Sequence, residues 1–393
     1  MQTKLTTALF TTVQNILTAF ALLAPLAANA QGPSCSSVFT GSDAPPIRLQ
    51  IDGSFRKAPG GTFMAFRSNA PHYWNWLREN NVPIMSARGI VTGDPHILNF
   101  GDVQLKEGGA KFGLIDIDDA GVNAPLAGDL LRYYIGNQIS PYKVASKDLF
   151  KAYVEGLTGK KMNKPRYLEK ARDKADRDFK TLQENRISKL ISDNTFAPDS
   201  GLTALENFPA DVRTLYEQSL EVFKTEMTGY KILDVGYRTK ESGGSQYLPR
   251  FNFLVEKGKE RHIWEFKLET TPAISLFVRQ PDAQSRFNYV VNVYRPSEPL
   301  GPYRFVQAGE HTFLLRERIF KSTDLDPALI ASDKDVKDGK EMSLFIANRM
   351  GLAHGSQSSA TTLLFYLEQP GAFESLNALA NQYINTLKKL NND

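Results

Sequence analysis

Acidic and amide side chains are concentrated in two short segments that begin near residue 94. Asp94 is followed five residues later by Asn99 in the run Gly93-Asp94-Pro95-His96-Ile97-Leu98-Asn99-Phe100-Gly101. A hairpin's length further on, Leu114-Ile115-Asp116-Ile117-Asp118-Asp119 places carboxylates after an apolar run. A carboxylate can orient or deprotonate a hydroxyl group, and Mg²⁺ prefers hard oxygen ligands. Asp94 is therefore a candidate catalytic residue, and Asn99 and Asp116 are candidate metal ligands.

Two neighbouring residues extend this set. The run from Lys111 to Ile117 is predicted to be a strand, so Asp118 is expected on the same strand face as Asp116 and could replace it as the metal ligand. His96 is counted with the catalytic candidates, in the role of orienting its loop by hydrogen bonds. The five histidines form no His-x-His or His-Glu-x-x-His pattern, so zinc chemistry is not expected. The simpler alternative is that Asp94 and Asn99 only cap turns.

A second cluster has the features of a phosphate-binding site. Glu241-Ser242-Gly243-Gly244-Ser245 joins two predicted strands, and Lys267 lies inside a third. Backbone N–H groups of a glycine-rich hairpin can approach phosphate oxygens, and a lysine on the next strand but one can reach the same phosphates. Gly243, Gly244, Ser245 and Lys267 are therefore candidate nucleotide-binding residues. The alternative is a plain hairpin with an exposed lysine.

Together the two clusters resemble the working parts of protein kinases, which use a glycine-rich loop, a lysine, a catalytic Asp and a metal-binding Asn and Asp. Kinases present the glycine loop and the lysine first, whereas this chain has the reverse order. A circular permutation would account for the reversal, because these groups act through their positions in space. Met350-Gly351-Leu352-Ala353-His354 is similar to the end of the helix before the catalytic loop of aminoglycoside phosphotransferases. Gly128-Asp129-Leu130 resembles their following helix, in which Asp129 would brace that loop.

The chain also resembles the bacterial family catalogued as domain of unknown function 2252, over about residues 60 to 360. The shared motifs are Phe66-Arg67, Gly93-Asp94-x-His96-x-x-Asn99-Phe100-Gly101, Asp116-x-Asp118-Asp119, Gly128-Asp129-Leu130-x-Arg132, Gly243-x-Ser245, Lys267-x-Glu269, Arg316 with Lys321, and Ala353-His354. The resemblance implies a kinase-like fold and adds Glu269 to the cofactor-binding candidates, but it names no substrate. The chain departs from the family at Ser68, where Gly is usual, and at Gly355-Ser356, where Ala-Arg is usual.

The residue patterns divide the chain into five parts. Residues 1–30 are predicted to be a signal peptide, and residues 31–60 a loose lead-in. Residues 61–229 are predicted to form a mainly helical lobe that carries the catalytic-type loop, and residues 230–320 an antiparallel sheet lobe that carries the glycine-rich hairpin and Lys267. Residues 321–393 are predicted to form C-terminal helices that pack on the helical lobe. The predicted fold is therefore α+β: a two-lobed protein-kinase-like fold with circularly permuted connectivity.

The N-terminus and the overall charge bear on location and partners. The apolar stretch from Ile16 to Ala28 is shorter than the roughly 20 residues of a spanning helix, and Ala28-Asn29-Ala30 fits a signal peptidase site. We therefore expect export to the periplasm or secretion, with no membrane span left after cleavage. A net charge of +4 is too small to indicate nucleic acid binding. Cys35 is the only cysteine, which excludes an internal disulfide.

These features favour an exported kinase-like phosphotransferase that uses Mg²⁺ and ATP or another nucleotide on an unknown small-molecule or envelope substrate. Location argues against this interpretation, because ATP is scarce outside the inner membrane. The alternative is a non-catalytic envelope-binding module, in which the same cleft holds a polar or phosphorylated ligand. Transfer of a nucleotidyl group is a third possibility that the same residues would serve.

Overall fold

A computed structural model of the chain describes residues 51–80, 82–106, 109–142, 144–240, 243–245, 247–294, 301, 303–319 and 332–392. These residues contain ten α-helices and a six-stranded antiparallel sheet, which confirms the predicted α+β class. The predicted signal peptide, Glu241, Ser242 and Lys321 lie outside the described residues. The domain boundaries predicted at residues 229 and 320 stay predictions.

The helices occur in three groups along the chain, two before the first strand, five between the strands and three at the C-terminal end. They are α1 (Gly61–Ser68), α2 (Ala70–Glu79), α3 (Leu126–Gln138), α4 (Ser146–Leu157), α5 (Arg166–Ser188), α6 (Ala210–Glu226), α7 (Ala283–Tyr294), α8 (Asp333–Gly355), α9 (Ala360–Leu367) and α10 (Ala372–Asn391). In the described residues no helix has the length and apolar character needed to cross a membrane.

The strands form one large sheet and three two-stranded ladders. They are β1 (Arg88–Val91), β2 (Phe100–Gln104), β3 (Ala110–Leu114), β4 (Gly121–Pro125), β5 (Ile191–Ser192), β6 (Thr195–Phe196), β7 (Thr203–Ala204), β8 (Lys231–Arg238), β9 (Arg250–Lys257), β10 (Glu260–Leu268), β11 (Tyr303–Ala308) and β12 (His311–Glu317). The large sheet has the order β11-β12-β10-β9-β8-β7, and the ladders pair β1 with β4, β2 with β3 and β5 with β6.

One strand ends earlier than the sequence predicted. β3 stops at Leu114, so Asp116 and Asp118 lie beyond it and the prediction that they share a strand face is wrong. The chain turns here, with a hydrogen bond from the N–H of Ala120 to the carbonyl oxygen of Ile117. The turn is required because β3 pairs with β2, whereas the next strand, β4, must reach β1.

The large sheet has one apolar and one charged face. Because side chains alternate along a strand, Phe251 and Phe253 of β9 point to one face together with Phe266 of β10. Helix α6 covers this face, and its Phe223 ring stacks on Phe253 with ring centres 4.0 Å apart. The alternate positions carry charged side chains, which places them on the face opposite α6.

A larger hydrophobic core lies among the remaining helices and the β1–β4 ladder. Helices α4 and α8 approach closely in this core because glycines line their contact. A side chain at Gly156 of α4 would overlap the backbone of Asn348, and one at Gly351 of α8 would overlap the carbonyl oxygen of Tyr153. Glycine at these two positions therefore allows α4 and α8 to lie close together.

We expect Gly351→Ala to lower the free energy of unfolding by about 1–3 kcal/mol, because the added methyl group forces α4 and α8 apart in a packed core. Chemical denaturation measures the change. Lys340→Ala, on an exposed position of the same helix, is the control and should change stability by less than about 0.5 kcal/mol. Equal stability of the two variants would contradict the packing argument.

Candidate functional site

Two loops between the small ladders bring the first predicted cluster together. The loop from β1 to β2 carries Asp94 and Asn99, and the loop from β3 to β4 carries Asp116. The N–H of Ile115 donates to the carbonyl oxygen of Asn99 at 2.9 Å, so the loops lie side by side. Gly93 has a φ of 78°, and a side chain there would collide with the second loop. Glycine is required at this position on both counts.

One cavity collects most of the predicted residues from separate parts of the chain. The glycine hairpin between β8 and β9 closes the cavity opposite the two loops. The predicted residues that line it are Asp94, His96, Asn99, Asp116, Asp118, Gly243, Gly244 and Ser245. Lys267 lies behind this lining and pairs with Asp118, and Glu269 in turn pairs with Lys267. The structure therefore brings the two predicted clusters into contact.

A buried arginine holds Asp94. The Nε and Nη2 groups of Arg132 both donate to Asp94 Oδ1, at 2.7 and 2.6 Å. The guanidinium of Arg132 lies 4.2 Å from the centre of the Phe66 ring and also donates to the Phe66 carbonyl oxygen. The side-chain amide of Asn99 donates to the backbone oxygen of Asp94 at 2.8 Å. The carboxylate is fixed through one oxygen, while Oδ2 lies 3.6 Å from His96 Nε2.

Asp129, which lies one helical turn before Arg132 in α3, binds the backbone of the β1–β2 loop. Its carboxylate accepts hydrogen bonds from the N–H groups of Thr92 at 2.6 Å and Gly93 at 3.0 Å. This is the bracing contact that the sequence predicted for Asp129. His354, at the end of α8, lies 3.6 Å from the carboxylate. The motif predicted at residues 350–354 therefore contacts Asp129, the residue that holds the loop.

His96 is buried and uncharged. Burial lowers the pKa of its imidazole to about 3, so the ring is neutral near pH 7. Its Nδ1 accepts a hydrogen bond from the N–H of Leu98 at 3.2 Å, which caps the short 3₁₀ helix Ile97–Asn99. These contacts fit the loop-orienting role predicted for His96, and they leave no imidazolium at neutral pH to act as an acid.

Asn99, Asp116 and Asp118 contribute oxygen atoms to the cavity. Burial would raise the pKa of Asp116, but the charges of Lys267, Arg316 and Arg250 outweigh burial and hold that pKa below its ordinary value. Asp118 Oδ1 is buried without a hydrogen-bond partner, while its Oδ2 pairs with Lys267. An ionised carboxylate beside an orphaned carboxylate oxygen suits a hard cation.

The donor set is nevertheless small. In the part of the chain that the structure describes, no group of three or more His, Cys, Asp or Glu side chains is arranged to hold a metal ion. The predicted set has two carboxylates and one amide. Mg²⁺ commonly keeps several waters and binds through one or two carboxylates together with substrate phosphates. The residues therefore fit Mg²⁺ only as the partner of a phosphate-bearing ligand.

Lys267 is buried, which contradicts the exposed lysine of the plain-hairpin alternative. Its side chain is 2% exposed, and its ammonium group lies between the carboxylates of Asp118 and Glu269, 3.3 Å from the latter. Burial raises the pKa of Glu269, although the charge of Lys267 opposes that shift. Glu269 pairs with the lysine and is not among the residues that line the cavity, so its direct role in cofactor binding stays a prediction.

The described part of the glycine hairpin is tied to both sides of the site. Gly243 has a φ of 94°, and its N–H donates to the hydroxyl of Ser68 at 2.9 Å. Ser245 accepts a short hydrogen bond from Arg250. A side chain at Gly244 would begin 3.3 Å from Asp119 Oδ2. Ser68, where the family usually has glycine, thus occupies one of the amides expected to meet phosphate.

Sequence reasoning missed two titratable groups in the cavity. Burial and the charge of Asp94 raise the pKa of Asp119 to about 7, although its Oδ1 accepts the N–H of Ala273 at 2.7 Å. The charge of Arg250, together with removal of the ammonium group from water, lowers the pKa of Lys240 to about 7. Groups shifted toward neutrality are typical of functional sites. The available signals were the Asp118-Asp119 pair and the position of Lys240 directly before the hairpin.

Comparison with known proteins gives one match. The family described as "Uncharacterized protein conserved in bacteria (DUF2252)" matches residues 60–148. Over this segment the chain is similar to that family. The segment contains both cavity loops and Arg132, whereas the glycine hairpin and Lys267 lie outside it, so the match is shorter than the span expected from the motifs. The searches of curated proteins and of solved structures each found no match, and none of the comparisons indicates a resemblance to kinases.

We expect Asp119→Asn to flatten the pH dependence of stability. A carboxyl group whose pKa is raised on folding stabilises the protein fully below its unfolded pKa near 4, and that contribution is lost as pH rises toward about 7. The wild type should therefore lose up to about 1.4 kcal/mol per pH unit relative to the variant between pH 4 and 7. Urea denaturation at several pH values measures this difference, and parallel curves would show that Asp119 does not titrate in that range.

Proposed function

We propose that the cavity is the active site of an exported, Mg²⁺-dependent phosphotransferase that takes its phosphoryl group from ATP or another nucleotide. The observation that supports this is the convergence of residues 94–99, 116–119, 243–245 and Lys267 at one cavity. These parts combine a fixed carboxylate, hard oxygen donors, a glycine hairpin and a cation. Phosphoryl transfer requires mainly positioning and charge stabilisation, which this set of groups provides.

Asp94 would hold the acceptor. Arg132 binds only Oδ1, so Oδ2 can accept a hydrogen bond from a substrate hydroxyl. The carboxylate would orient the hydroxyl and receive its proton as the new O–P bond forms. Asp129 and His96 would keep the loop in place through the backbone contacts described above.

Asn99 and Asp116 would hold Mg²⁺, with the free Oδ1 of Asp118 as the alternative carboxylate ligand. Bound Mg²⁺ would neutralise charge on the phosphate oxygens. Lys267 would exchange part of its pairing with Asp118 for a phosphate oxygen, and Gly244 would offer its backbone at the mouth of the cavity. A kinase-like fold with permuted connectivity belongs to the same proposal, since it accounts for the order of these parts along the chain.

One observation favours the alternative of a non-catalytic binding module. The groups expected to meet phosphate already have partners within the protein: Gly243 N–H bonds Ser68, and Lys267 is held between Asp118 and Glu269. A site whose polar groups already have partners within the protein can be a rigid binding surface. A predicted envelope location, where ATP is scarce, favours the same alternative.

Thermal unfolding with Mg²⁺ and ATP tests nucleotide binding. A ligand at a hundredfold excess over its dissociation constant stabilises the native state by about 2.7 kcal/mol, so the melting temperature should rise. Asp116→Asn and Lys267→Met should abolish this rise relative to their own ligand-free values. Lys231→Met, at an exposed lysine of β8, should retain it. A wild-type protein that shows no rise would contradict the proposal.

Turnover separates the enzyme from the binding module. Asp94→Asn removes the counter-charge of Arg132 and should lower the ligand-free melting temperature, so its ligand response is compared with its own ligand-free value. It should retain the Mg²⁺- and ATP-dependent rise but lower the rate of nucleotide consumption by about 10²- to 10⁴-fold, the usual contribution of a positioned acid–base group. Mass spectrometry of the product distinguishes ADP from AMP and therefore phosphoryl from nucleotidyl transfer. Binding without turnover in the wild type would favour the binding module.

A further inference from the structure

A second cleft, of about 380 Å³, opens beside the cavity and has the opposite charge character. Its floor is the charged face of the large sheet, and it shares four lining residues with the cavity: Arg67, Asn99, Asp116 and Lys240. Among its described lining residues, seven are Arg or Lys and four are Asp or Glu. The basic residues are Arg67, Arg186, Arg238, Lys240, Arg250, Arg316 and Arg318, and we call this the arginine cleft.

Two of the four acidic residues have their charges committed outside the floor of the cleft. Asp102 pairs with Arg172 at 2.8 Å, and Glu317 pairs with His262 at 2.6 Å. Glu265, at the centre of the floor, and Asp116, at the border with the cavity, are left as the counter-charges for the arginines around them. Burial would raise the pKa of Glu265, but those arginines hold it below its ordinary value.

The sheet register places like charges against each other. Arg238 of β8 lies directly opposite Arg250 of β9, an arrangement that destabilises a sheet unless an anion lies nearby. The Nε and Nη2 groups of Arg316 both donate to Glu265 Oε1, at 2.9 and 2.6 Å, while Oε2 is buried without a hydrogen-bond partner. Arg250 and Arg238 lie at 3.5 and 3.6 Å from the same carboxylate. One glutamate therefore serves three arginines.

Several arginine N–H groups in the cleft are buried and have no hydrogen-bond acceptor. The Nε groups of Arg186, Arg238 and Arg250 are buried and make no hydrogen bond. Burial lowers the pKa of Arg318 to about 10, and the neighbouring charge of Arg238 adds to that shift. Buried donors without acceptors cost free energy that an incoming acceptor would recover. Each guanidinium group can donate two parallel hydrogen bonds. A phosphate chain offers several arginines more acceptor oxygens than a single carboxylate does.

We propose that the arginine cleft binds a small ligand with two or more linked phosphate groups, and that it does so without a metal ion. Arg238, Arg250 and Arg316 lie on the sheet and not on the two loops of the cavity. The cleft borders the metal-binding residues Asn99 and Asp116, but binding through the arginines does not require phosphotransfer. Linked phosphates occur in inorganic polyphosphates and in nucleotides. Both classes of ligand carry a phosphate chain, and only the nucleotides also carry a base.

Calorimetry with sodium tripolyphosphate, in EDTA and 150 mM salt, tests the proposal. The wild type should bind, and the double variant Arg238→Gln/Arg318→Gln should bind at least about tenfold more weakly, because each arginine contributes charge-assisted hydrogen bonds. Arg304→Gln is the matched control, since Arg304 lies on β11 of the same sheet but pairs with Glu226 outside the cleft. Its affinity should equal that of the wild type.

Folding of the double variant is checked by its ligand-free melting temperature, which should change little, because relief of the repulsion between Arg238 and Arg318 offsets the loss of their contacts with Glu265 and Asn252. If it does fall, Arg186→Gln on α5 replaces it and should weaken binding about tenfold. ATP in EDTA shows whether a base strengthens binding beyond that of tripolyphosphate. No tripolyphosphate binding, or equal weakening by Arg304→Gln, would overturn the proposal.

Asp116→Asn separates this proposal from the proposed function. It removes a metal ligand and one negative charge at the border of the cleft, so it should abolish the Mg²⁺- and ATP-dependent rise in melting temperature. Tripolyphosphate affinity in EDTA should stay equal or increase. Loss of tripolyphosphate binding in this variant would show that the phosphate chain binds through the metal site, and the arginine-cleft proposal would fall.

Discussion

The buried ion pair between Arg132 and Asp94 is the interaction on which the site depends. A fully buried guanidinium without a counter-charge would cost several kcal/mol, so Arg132 can occupy its place in α3 only if Asp94 comes to it. Asp129, one turn earlier, binds the backbone of the same loop. A single turn of one helix therefore fixes both the side chain and the main chain of the β1–β2 loop, and the β3–β4 loop packs against that loop.

The local parts of this arrangement could be predicted from the sequence because they depend on short-range patterns. The five-residue separation of Asp94 and Asn99, the glycine hairpin and the position of Lys267 on the third of three strands are all local features. Asp129 could be placed from its motif. The end of β3 could not, because it depends on which partner each strand finds: β4 returns to β1, and the turn that this requires removes Asp116 from the strand.

Properties that arise from distant neighbours were not predictable in this way. Alternation along β10 showed that Lys267 shares a polar face, but its burial follows from a loop some 150 positions earlier that supplies Asp118. The raised pKa of Asp119 requires Asp94 nearby and removal from water. The arginine cleft is the clearest case. Arg316 is far in sequence from Arg238 and Arg250, and the three become neighbours only through the register of four adjacent strands.

The two-faced sheet explains why charge accumulates beside the cavity. Helix α6 covers the aromatic face, so the alternate positions on β8, β9, β10 and β12 must all lie on the other side. That side adjoins an acidic loop, and each charge pattern affects the other. Lys267 and the arginines keep the pKa of Asp116 below its ordinary value, and Asp116 in turn opposes the pKa shift that Arg250 causes in Lys240. A ligand that carried both a metal ion and linked phosphates would neutralise the two patterns together. The charge on the sheet is complementary to a phosphate chain, so recognition through these arginines would not require a base, which suits a protein predicted to work where ATP is scarce.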